Sequence, residues 1–419
     1  MVPGGDAPDM DGTRALVFAL LLCVAPIAGI AVDAEGVGGI GEPQETTADP
    51  DRSMAVLATP NTSEYLAPSA DDIERSGDHT AGLDVAAAVE ADAGELESAY
   101  LGETLERRYA NAATDADRRA VVEDGVDRLA ARADELRGTE RSAIRRYSEG
   151  TIDARELLRT LTVVSRTAGR TIDRLEWLET RATRLEMDAE ADRAATERVG
   201  LVPTTGPVRT ELADAAVGSG PARVYVETAG DGIVLAAVDG DDGTYLREAH
   251  DPSARDPQTP DQYGGSPLLA LERMERVYPW VTENNLGVSA SPIGPTFDRV
   301  YRFSIPHPHG ELETYLDSGS EAVTVEFQRN DLESIPTESV ETTANDLRLV
   351  VETTRGGGPI GVSVLDDATG DPVDATIELN GDPVGTTGAD RLWAVAPRGP
   401  VTVNATHDGE TVSLETALP

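Results

Sequence analysis

One apolar stripe, about nine helical turns long, constrains the fold of this chain more than any other feature. In the region 81–198, apolar side chains recur in steps of three and four, while Arg, Glu and Asp occupy the positions between them. The stripe consists of Leu157, Leu161, Val164, Ala168, Thr171 or Ile172, Leu175, Leu178, Ala182, Leu185 and Ala189. A helix with such a stripe must bury it, so the sequence predicts helices packed side by side.

Two upstream segments supply partners for this stripe. They carry matching apolar positions at Val122, Val126, Leu129, Ala133 and Leu136, and at Leu96, Leu101, Leu105 and Tyr109. The periodicity predicts helices over 85–111, 115–136, 140–147 and 153–198. The last begins at an Asp153/Glu156 capping box and extends for close to 70 Å. We expect residues 58–200 to form an antiparallel helical hairpin or coiled coil, whose long last helix holds the following domains away from a membrane.

The charge of the chain is strongly negative. There are 76 acidic and 35 basic residues, giving a formal net charge of -41, and the chain contains no lysine. Such a surface repels itself in dilute buffer but is screened in molar salt, where the Debye length is about 3 Å. We infer adaptation to a very salty environment, and the composition resembles that of haloarchaeal proteins. Nucleic acid is excluded as a partner because no basic patch is present.

The N-terminal region predicts export. Residues 15–32 form an apolar run preceded by Arg14 and followed by Asp33 and Glu35, the arrangement of a signal peptide. At 18 residues, the run is also close to the minimum for a membrane anchor, and this alternative stays open, as does translation from Met10. Cys23 is the single cysteine, so no intrachain disulfide can form. Residues 1–32 are therefore a signal peptide or anchor, and residues 33–57 a flexible tether.

The middle of the chain changes to a period of two. A hairpin is predicted where strands flank the turn at 230–232, a helix over 267–277, and three strands over 300–305, 312–316 and 323–327. This order predicts an α+β domain over residues 201–335. An ordered lead-in after Asn61 is expected to pack on the helices.

The C-terminal part predicts a β-sandwich. After a linker at 336–344, five short strands are separated by turns rich in Gly, Asp and Pro, over 347–351, 360–364, 375–379, 392–395 and 401–405. The turn sequences at 366–373, 380–381 and 387–390 resemble those of carboxypeptidase-regulatory or transthyretin-like domains. The resemblance implies an immunoglobulin-like sandwich over residues 345–419 that serves as a surface spacer or adhesion module. The complete chain is thus a multidomain α+β protein.

Two further resemblances concern the rest of the chain. The segments 61–66, 83–85, 147–152 and 156–158 are similar to those of an uncharacterised family of exported haloarchaeal proteins, which implies a location without an activity. The middle domain, from 270–279 to Tyr315 and Gly319, is similar to PepSY-type domains, which are associated with restraint of peptidases.

No catalytic, cofactor-binding or metal-binding residue is assigned from the sequence. Asp317, Ser318 and Gly319 match the aspartic protease motif, but no second copy is found. His307 and His309 have the spacing of metal ligands, but prolines interrupt the segment and no third ligand lies nearby. The acidic run 239–243 lacks the late glutamate of a calcium loop, and the glycines 356–358 lack the Lys of a phosphate loop. His79, His250 and His407 are isolated in the sequence.

The sequence contains two glycosylation sequons, at Asn61 and Asn404. With predicted export, these motifs indicate an extracytoplasmic glycoprotein at the cell surface. We expect a structural or protein-binding role without catalysis. The expected partners are other envelope or surface-layer proteins, together with the membrane if the N-terminal segment is retained. The alternative is a regulatory module whose middle domain binds peptide or restrains an extracytoplasmic peptidase.

Overall fold

The computed structural model describes residues 54–240, 243–295, 298–388 and 390–418. The predicted signal or anchor, Cys23 and nearly all of the tether lie outside these residues. Within the described ranges, no helix is both long enough and apolar enough to cross a membrane.

Four helices form a bundle in which sequence neighbours run antiparallel. They are α1 (Val85–Asn111), α2 (Asp115–Ser148), α3 (Ala154–Arg184) and α4 (Asp188–Leu201). The first three helices have N-cap residues, which are Asp84, Thr114 and Asp153 respectively. The side chain of each N-cap residue accepts hydrogen bonds from backbone N–H groups in the first turn of its helix. The predicted stripe is confirmed along α3, where it is buried from Leu157 to Ala182. Leu157 and Leu161 pack with the end of α2, with α5 and with the sheet, and the positions from Val164 onwards pack against α2 and α4.

The predicted long last helix is wrong. It ends at Arg184, and the chain turns through Glu186, whose φ of 57° lies in the left-handed region, before α4 returns along α3. The exposed Ala189 therefore leaves the stripe. The break before residue 140 is also wrong because α2 continues through the exposed Gly138. The helices therefore form a bundle, and the hairpin with a last helix of about 70 Å that the sequence predicted is not formed.

An eight-stranded antiparallel sheet lies beside the bundle. Its spatial order is β3-β4-β5-β6-β10-β9-β8-β7. The bounds are β3 Arg75–Ala81, β4 Ala222–Ala229, β5 Gly232–Asp239, β6 Thr244–His250, β7 Ser289–Ile293, β8 Val300–His307, β9 Gly310–Asp317 and β10 Val323–Asp331. The predicted hairpin at 230–232 and the three later strands are confirmed.

The two faces of the sheet are covered by different elements. Helix α5 (Pro207–Val217) and the adjoining ends of α2 and α3 pack on one face, which we call the bundle face. The hairpin of β1 (Met54–Thr59) and β2 (Thr62–Pro68), with α6 (Pro267–Val277) and α7 (Pro279–Glu283), packs on the other, the hairpin face. The lead-in therefore packs on the sheet through β1 and β2 and joins it through β3. The prediction that it packs on the helices holds only for β3, where Arg75 donates to the Tyr147 carbonyl at 2.7 Å and His79 Nε2 lies 2.8 Å from the Tyr147 hydroxyl.

The C-terminal β-sandwich consists of two four-stranded sheets, ordered β11-β12-β13-β16 and β15-β14-β17-β18. Residues 338–344, predicted as a linker, form strand β11 because every one of them pairs with β12. The bounds are β11 Glu338–Ala344, β12 Leu347–Thr353, β13 Pro359–Asp366, β14 Thr376–Leu379, β15 Asp382–Thr386, β16 Leu392–Val395, β17 Pro400–His407 and β18 Glu410–Ala417.

Polar contacts fix the sandwich to the eight-stranded sheet and to the β1–β2 hairpin. The Arg398 guanidinium donates to the buried Glu227 at 2.6 Å, and the Tyr245 hydroxyl donates to the Gly357 carbonyl at 2.7 Å. The Arg355 guanidinium lies 3.6 Å from the centre of the Tyr65 ring. Because these contacts are largely buried and include charge-assisted hydrogen bonds, the sandwich is held in a defined position.

Candidate functional site

A cavity of about 290 Å³ lies between the bundle and the sheet. Its apolar walls are Ile144, Val199, Val202, Pro203, Pro252, Pro257, Val300 and Val325. Its charged or polar lining includes Arg137, Glu140, Arg141, Glu197, His250, Arg255 and Asp298. The volume is at the small end of the range for ligand pockets, and the position between two structural layers is a common one for such sites.

A buried arginine lies behind one wall of this cavity. The Arg209 guanidinium on α5 bridges Glu140 of α2 and Glu248 of β6, and all three side chains are almost completely buried. Glu140 Oε2 and Glu248 Oε2 accept no hydrogen bond in the described structure. Gly206 leaves the space that Glu248 occupies, since a Cβ at this position would overlap Oε2. The arrangement joins bundle, helix and sheet at one point.

Burial controls the ionisation of the groups around this point. It raises the pKa of Glu248 to about 7, opposed by Arg209 and reinforced by Glu140. Burial also raises the pKa of Glu140. The pKa of His250 falls to about 3 because of burial and the nearby positive charges of Arg209, Arg255 and Arg141. His250 is therefore neutral at ordinary pH.

Most cations that line the cavity are already paired. Arg137 donates to Glu197 at 2.7 Å, and Arg255 donates to Asp298 at 2.6 Å. Arg141 lies at the mouth of the cavity without an ion pair to a described carboxylate. The cavity can thus hold a small anionic group beside Arg141, with apolar walls for the remainder of the ligand.

A second buried arginine lies on the hairpin face. Arg247 donates to Glu326 at 2.6 Å and also to the carbonyl of Leu66. Glu326 additionally accepts from the Leu66 amide at 2.7 Å and the Tyr278 hydroxyl at 2.6 Å. This network fastens the β1–β2 hairpin and α6–α7 to the sheet.

The two predicted candidate metal ligands lie near Trp280. The His309 ring stacks on Trp280 at a centroid distance of 4.9 Å, and its Nδ1 is 3.0 Å from the Thr62 hydroxyl. Burial lowers the pKa of both histidines, that of His307 to about 4. His307 Nε2 is buried without a hydrogen-bond partner. Across the described ranges, no three His, Cys, Asp or Glu side chains come together as a metal site.

Asp317, from the aspartic protease motif, is buried at the end of β9. Its Oδ2 accepts backbone N–H groups from Asp256 at 3.2 Å, Gly319 at 3.2 Å and Ser320 at 2.9 Å. This bonding ties the turn after β9 to the loop after β6. Of the acidic run 239–243, residues 241 and 242 lie outside the described structure, and the flanking strands β5 and β6 pair as a hairpin.

The two sequon asparagines occupy different settings. Asn61 is exposed at the tip of the β1–β2 hairpin, where its φ is 57°. Asn404 lies within β17, paired with Glu378 on one side and Ser413 on the other, and is only partly exposed.

An exposed apolar surface lies on the outside of α1. Its bulky members are Val85, Val89, Leu96 and Tyr100, which are 62–72% exposed. At 100° per residue, they fall within an arc of about 60°. We call this surface the α1 outer face; Leu83 and Val217, both more than half exposed, lie at its end. Leu96, predicted in the buried seam, is therefore misassigned.

The opposite side of α1 carries small residues. Its buried positions are Ala87, Ala91, Ser98, Gly102 and Leu105. The close approach of α1 to α3 requires small residues on this side. At Gly94, for example, a Cβ atom would come within 2.7 Å of the Thr167 hydroxyl. Sequence periodicity selected Leu96 together with Leu101, Leu105 and Tyr109, of which the last three pack inwards, and it did not identify the exposed Val85, Val89 and Tyr100.

These features define a protein of three parts, a helical bundle, an eight-stranded sheet and a C-terminal β-sandwich. The chain belongs to the family described as domain of unknown function (DUF7096), whose model matches residues 10–220. Residues 224–336 match a family of unknown function (DUF7094), and residues 338–414 match an archaeal fibronectin-III type-like domain. No curated protein and no solved structure matches the chain.

Proposed function

We propose that this protein is a non-catalytic, exported component of the archaeal cell envelope that binds other proteins through the α1 outer face. The observation that carries the proposal is the orientation of the first half of α1, residues 85–100, which buries small residues and exposes bulky apolar ones. Exposed apolar patches of this kind mark interaction sites because water contact with them is unfavourable. The other elements hold this face on a rigid support.

The proposed location rests on the sequence and on the nature of the third part. The apolar run at 15–32 is expected to direct export or to anchor the chain, and Asn61 lies at an exposed turn that is suited to glycosylation. The formal charge of -41 fits a haloarchaeal exterior, and a fibronectin-III-like domain fits a spacer between proteins. The proposed partners are envelope or surface-layer proteins.

The test compares the wild-type chain with Leu96→Glu in its native envelope. Photo-crosslinking in molar salt, from a reactive group placed at Ala93, should yield discrete adducts with envelope proteins in the wild type and lose them in the variant. Leu268→Glu is the matched control because Leu268 is 51% exposed on α6. Unchanged adducts in Leu96→Glu would contradict the proposed face, and a hydrolytic activity lost in Asp317→Asn would contradict the absence of catalysis.

The cavity supports a second candidate, a regulatory module that binds peptide beside the middle sheet. Arg141 is available at the cavity mouth, where a peptide carboxylate can pair with it while an apolar side chain enters. Calorimetry with short peptides ending in Leu or Phe tests this candidate. Binding that is lost in Arg141→Gln but kept in Arg118→Gln, which removes an exposed α2 arginine, would support it.

A further inference from the structure

We infer that the α1 outer face binds a second copy of this chain, in an antiparallel α1–α1 pair about a twofold axis. This inference rests on the proposed function, since it takes the same face and names a second copy of this chain as the envelope protein that occupies it. It is argued from the spacing of the face, the charges at its edges and its area.

The spacing of the bulky residues is symmetric. Val85 and Tyr100 are equally distant from the midpoint between Asp92 and Ala93, and so are Val89 and Leu96. In a twofold interface, residue i of one copy contacts residue j of the other, and j contacts i. An antiparallel pair centred on this midpoint therefore places Val85 against Tyr100 and Val89 against Leu96, twice. Asp92 and Ala93 flank the centre, where the small side chain of Ala93 allows close approach and Asp92 is paired with Arg166 of its own copy.

The charges along the edges of the face are partly neutralised within each copy. Glu90 pairs with Arg159 at 2.8 Å, Asp92 with Arg166 at 2.9 Å, and Glu97 approaches Arg132 at 4.0 Å. In a chain with a net charge of -41, this neutralisation reduces local repulsion between two copies. Molar salt screens the remainder, since the Debye length is then about 3 Å.

The size of the face fits a reversible contact. It consists of four bulky residues together with Leu83 and Val217, all 52–72% exposed, whereas an interface of standard size has roughly 20–30 residues on each side. The helix pair would cover most of this area, so dimerisation should depend on both protein concentration and salt.

The first test is sedimentation velocity of the full chain in molar salt, for the wild type and Leu96→Glu. The wild type should dimerise, and the variant should weaken dimerisation by roughly 100-fold because a charge enters the centre of an apolar interface. Leu268→Glu should dimerise like the wild type, and circular dichroism should show all three chains folded. A wild type that stays monomeric, or a Leu96→Glu chain that dimerises equally well, would overturn the inference.

The second test fixes the orientation by disulfide formation in a Cys23→Ser background. Ala93→Cys should yield a linked dimer because residue 93 lies next to the twofold axis. Val85→Cys alone should not, whereas Val85→Cys combined with Tyr100→Cys should. Linked dimers from Val85→Cys alone would indicate a parallel pair and overturn the antiparallel arrangement.

The two proposals fail in different ways. A chain that is monomeric throughout but loses envelope adducts in Leu96→Glu retains the proposed function and excludes the second copy as occupant. A chain that dimerises as described but forms no adduct with other envelope proteins retains the inference and excludes binding to such partners.

Discussion

On each face of the eight-stranded sheet an arginine is fully buried, but the two have different partners. On the bundle face, Arg209 serves two carboxylates, each with an oxygen that accepts no hydrogen bond among the described residues. On the hairpin face, Arg247 serves one carboxylate, Glu326, which also accepts from a backbone amide and a tyrosine hydroxyl. Buried charges are tolerated in proportion to their pairing and hydrogen bonding. The bundle face is therefore more sensitive to substitution and to pH.

The largest difference is expected when each arginine is replaced. Arg209→Met leaves Glu140 and Glu248 without a cation and should lower the free energy of unfolding by roughly 3–5 kcal/mol. Arg247→Met should cost less because Glu326 keeps its other donors. Urea unfolding at fixed molar salt measures both, and equal losses would contradict the difference between the faces.

The next effect concerns the space around Glu248. Gly206→Ala places a methyl group where Oε2 lies and should lower the free energy of unfolding by about 1–3 kcal/mol. Gly138→Ala is the matched control, since this exposed helical glycine has open space around its Cβ position. The control should stabilise the chain by roughly 0.5–1 kcal/mol. If Gly206→Ala left the free energy of unfolding unchanged, the stability of the chain would not depend on the observed position of the Glu248 side chain.

The bundle face should also respond to pH. Because the pKa of Glu248 is raised from 4.5 to about 7, the folded chain holds this proton more tightly than the unfolded chain. The contribution of Glu248 to stability is thus most favourable below pH 4.5 and declines as pH rises through about 7. The decline is about 3 kcal/mol, since each unit of pKa shift corresponds to about 1.4 kcal/mol.

Unfolding curves across this pH range measure the effect. In Glu248→Gln, the free energy of unfolding should fall less steeply with pH than in the wild type. Glu272→Gln changes an exposed position on α6 and should keep the wild-type pH dependence. A wild-type slope in Glu248→Gln would assign the pH dependence to other groups.

The smallest effect is expected on the hairpin face. Tyr278→Phe removes one of several donors to Glu326 and should cost about 1 kcal/mol. Tyr109→Phe is the control because the Tyr109 hydroxyl makes no hydrogen bond to another described residue. A loss comparable with that of Arg209→Met would mean that Glu326 is no better supported than Glu248.

Local patterns in the sequence predicted much of the secondary structure. The stripe of α3, the hairpin at 230–232 and the later strands follow from periodicity and turn residues. The turn at Glu186 has no such signal, since neither Gly nor Pro stands there and the adjoining residues continue the helical pattern. Tertiary packing of α4 against α2 and α3 decides that turn.

The candidate sites were predicted less well because they depend on long-range pairing. Arg209 meets Glu140 and Glu248 from 69 and 39 positions away, and Arg247 meets Glu326 from 79. No local pattern distinguishes these residues from the many other charged ones. Of the α1 outer face, periodicity selected only Leu96 and placed it in the buried seam, because the side of α1 that is exposed depends on how closely α1 approaches α3.

The pairing of β3 with β4 has a consequence for dissecting the chain. Arg75–Ala81 precedes the bundle and Ala222–Ala229 follows it, yet the two strands are neighbours in one sheet. The bundle is therefore an insertion between two adjacent strands of the sheet. The two family matches nevertheless divide the chain after the bundle, since one ends at residue 220 and the other begins at residue 224. A fragment beginning at residue 224 would expose the backbone of β4 as a new sheet edge, which favours aggregation. The boundary between the two family matches is therefore a poor place at which to divide this protein into fragments.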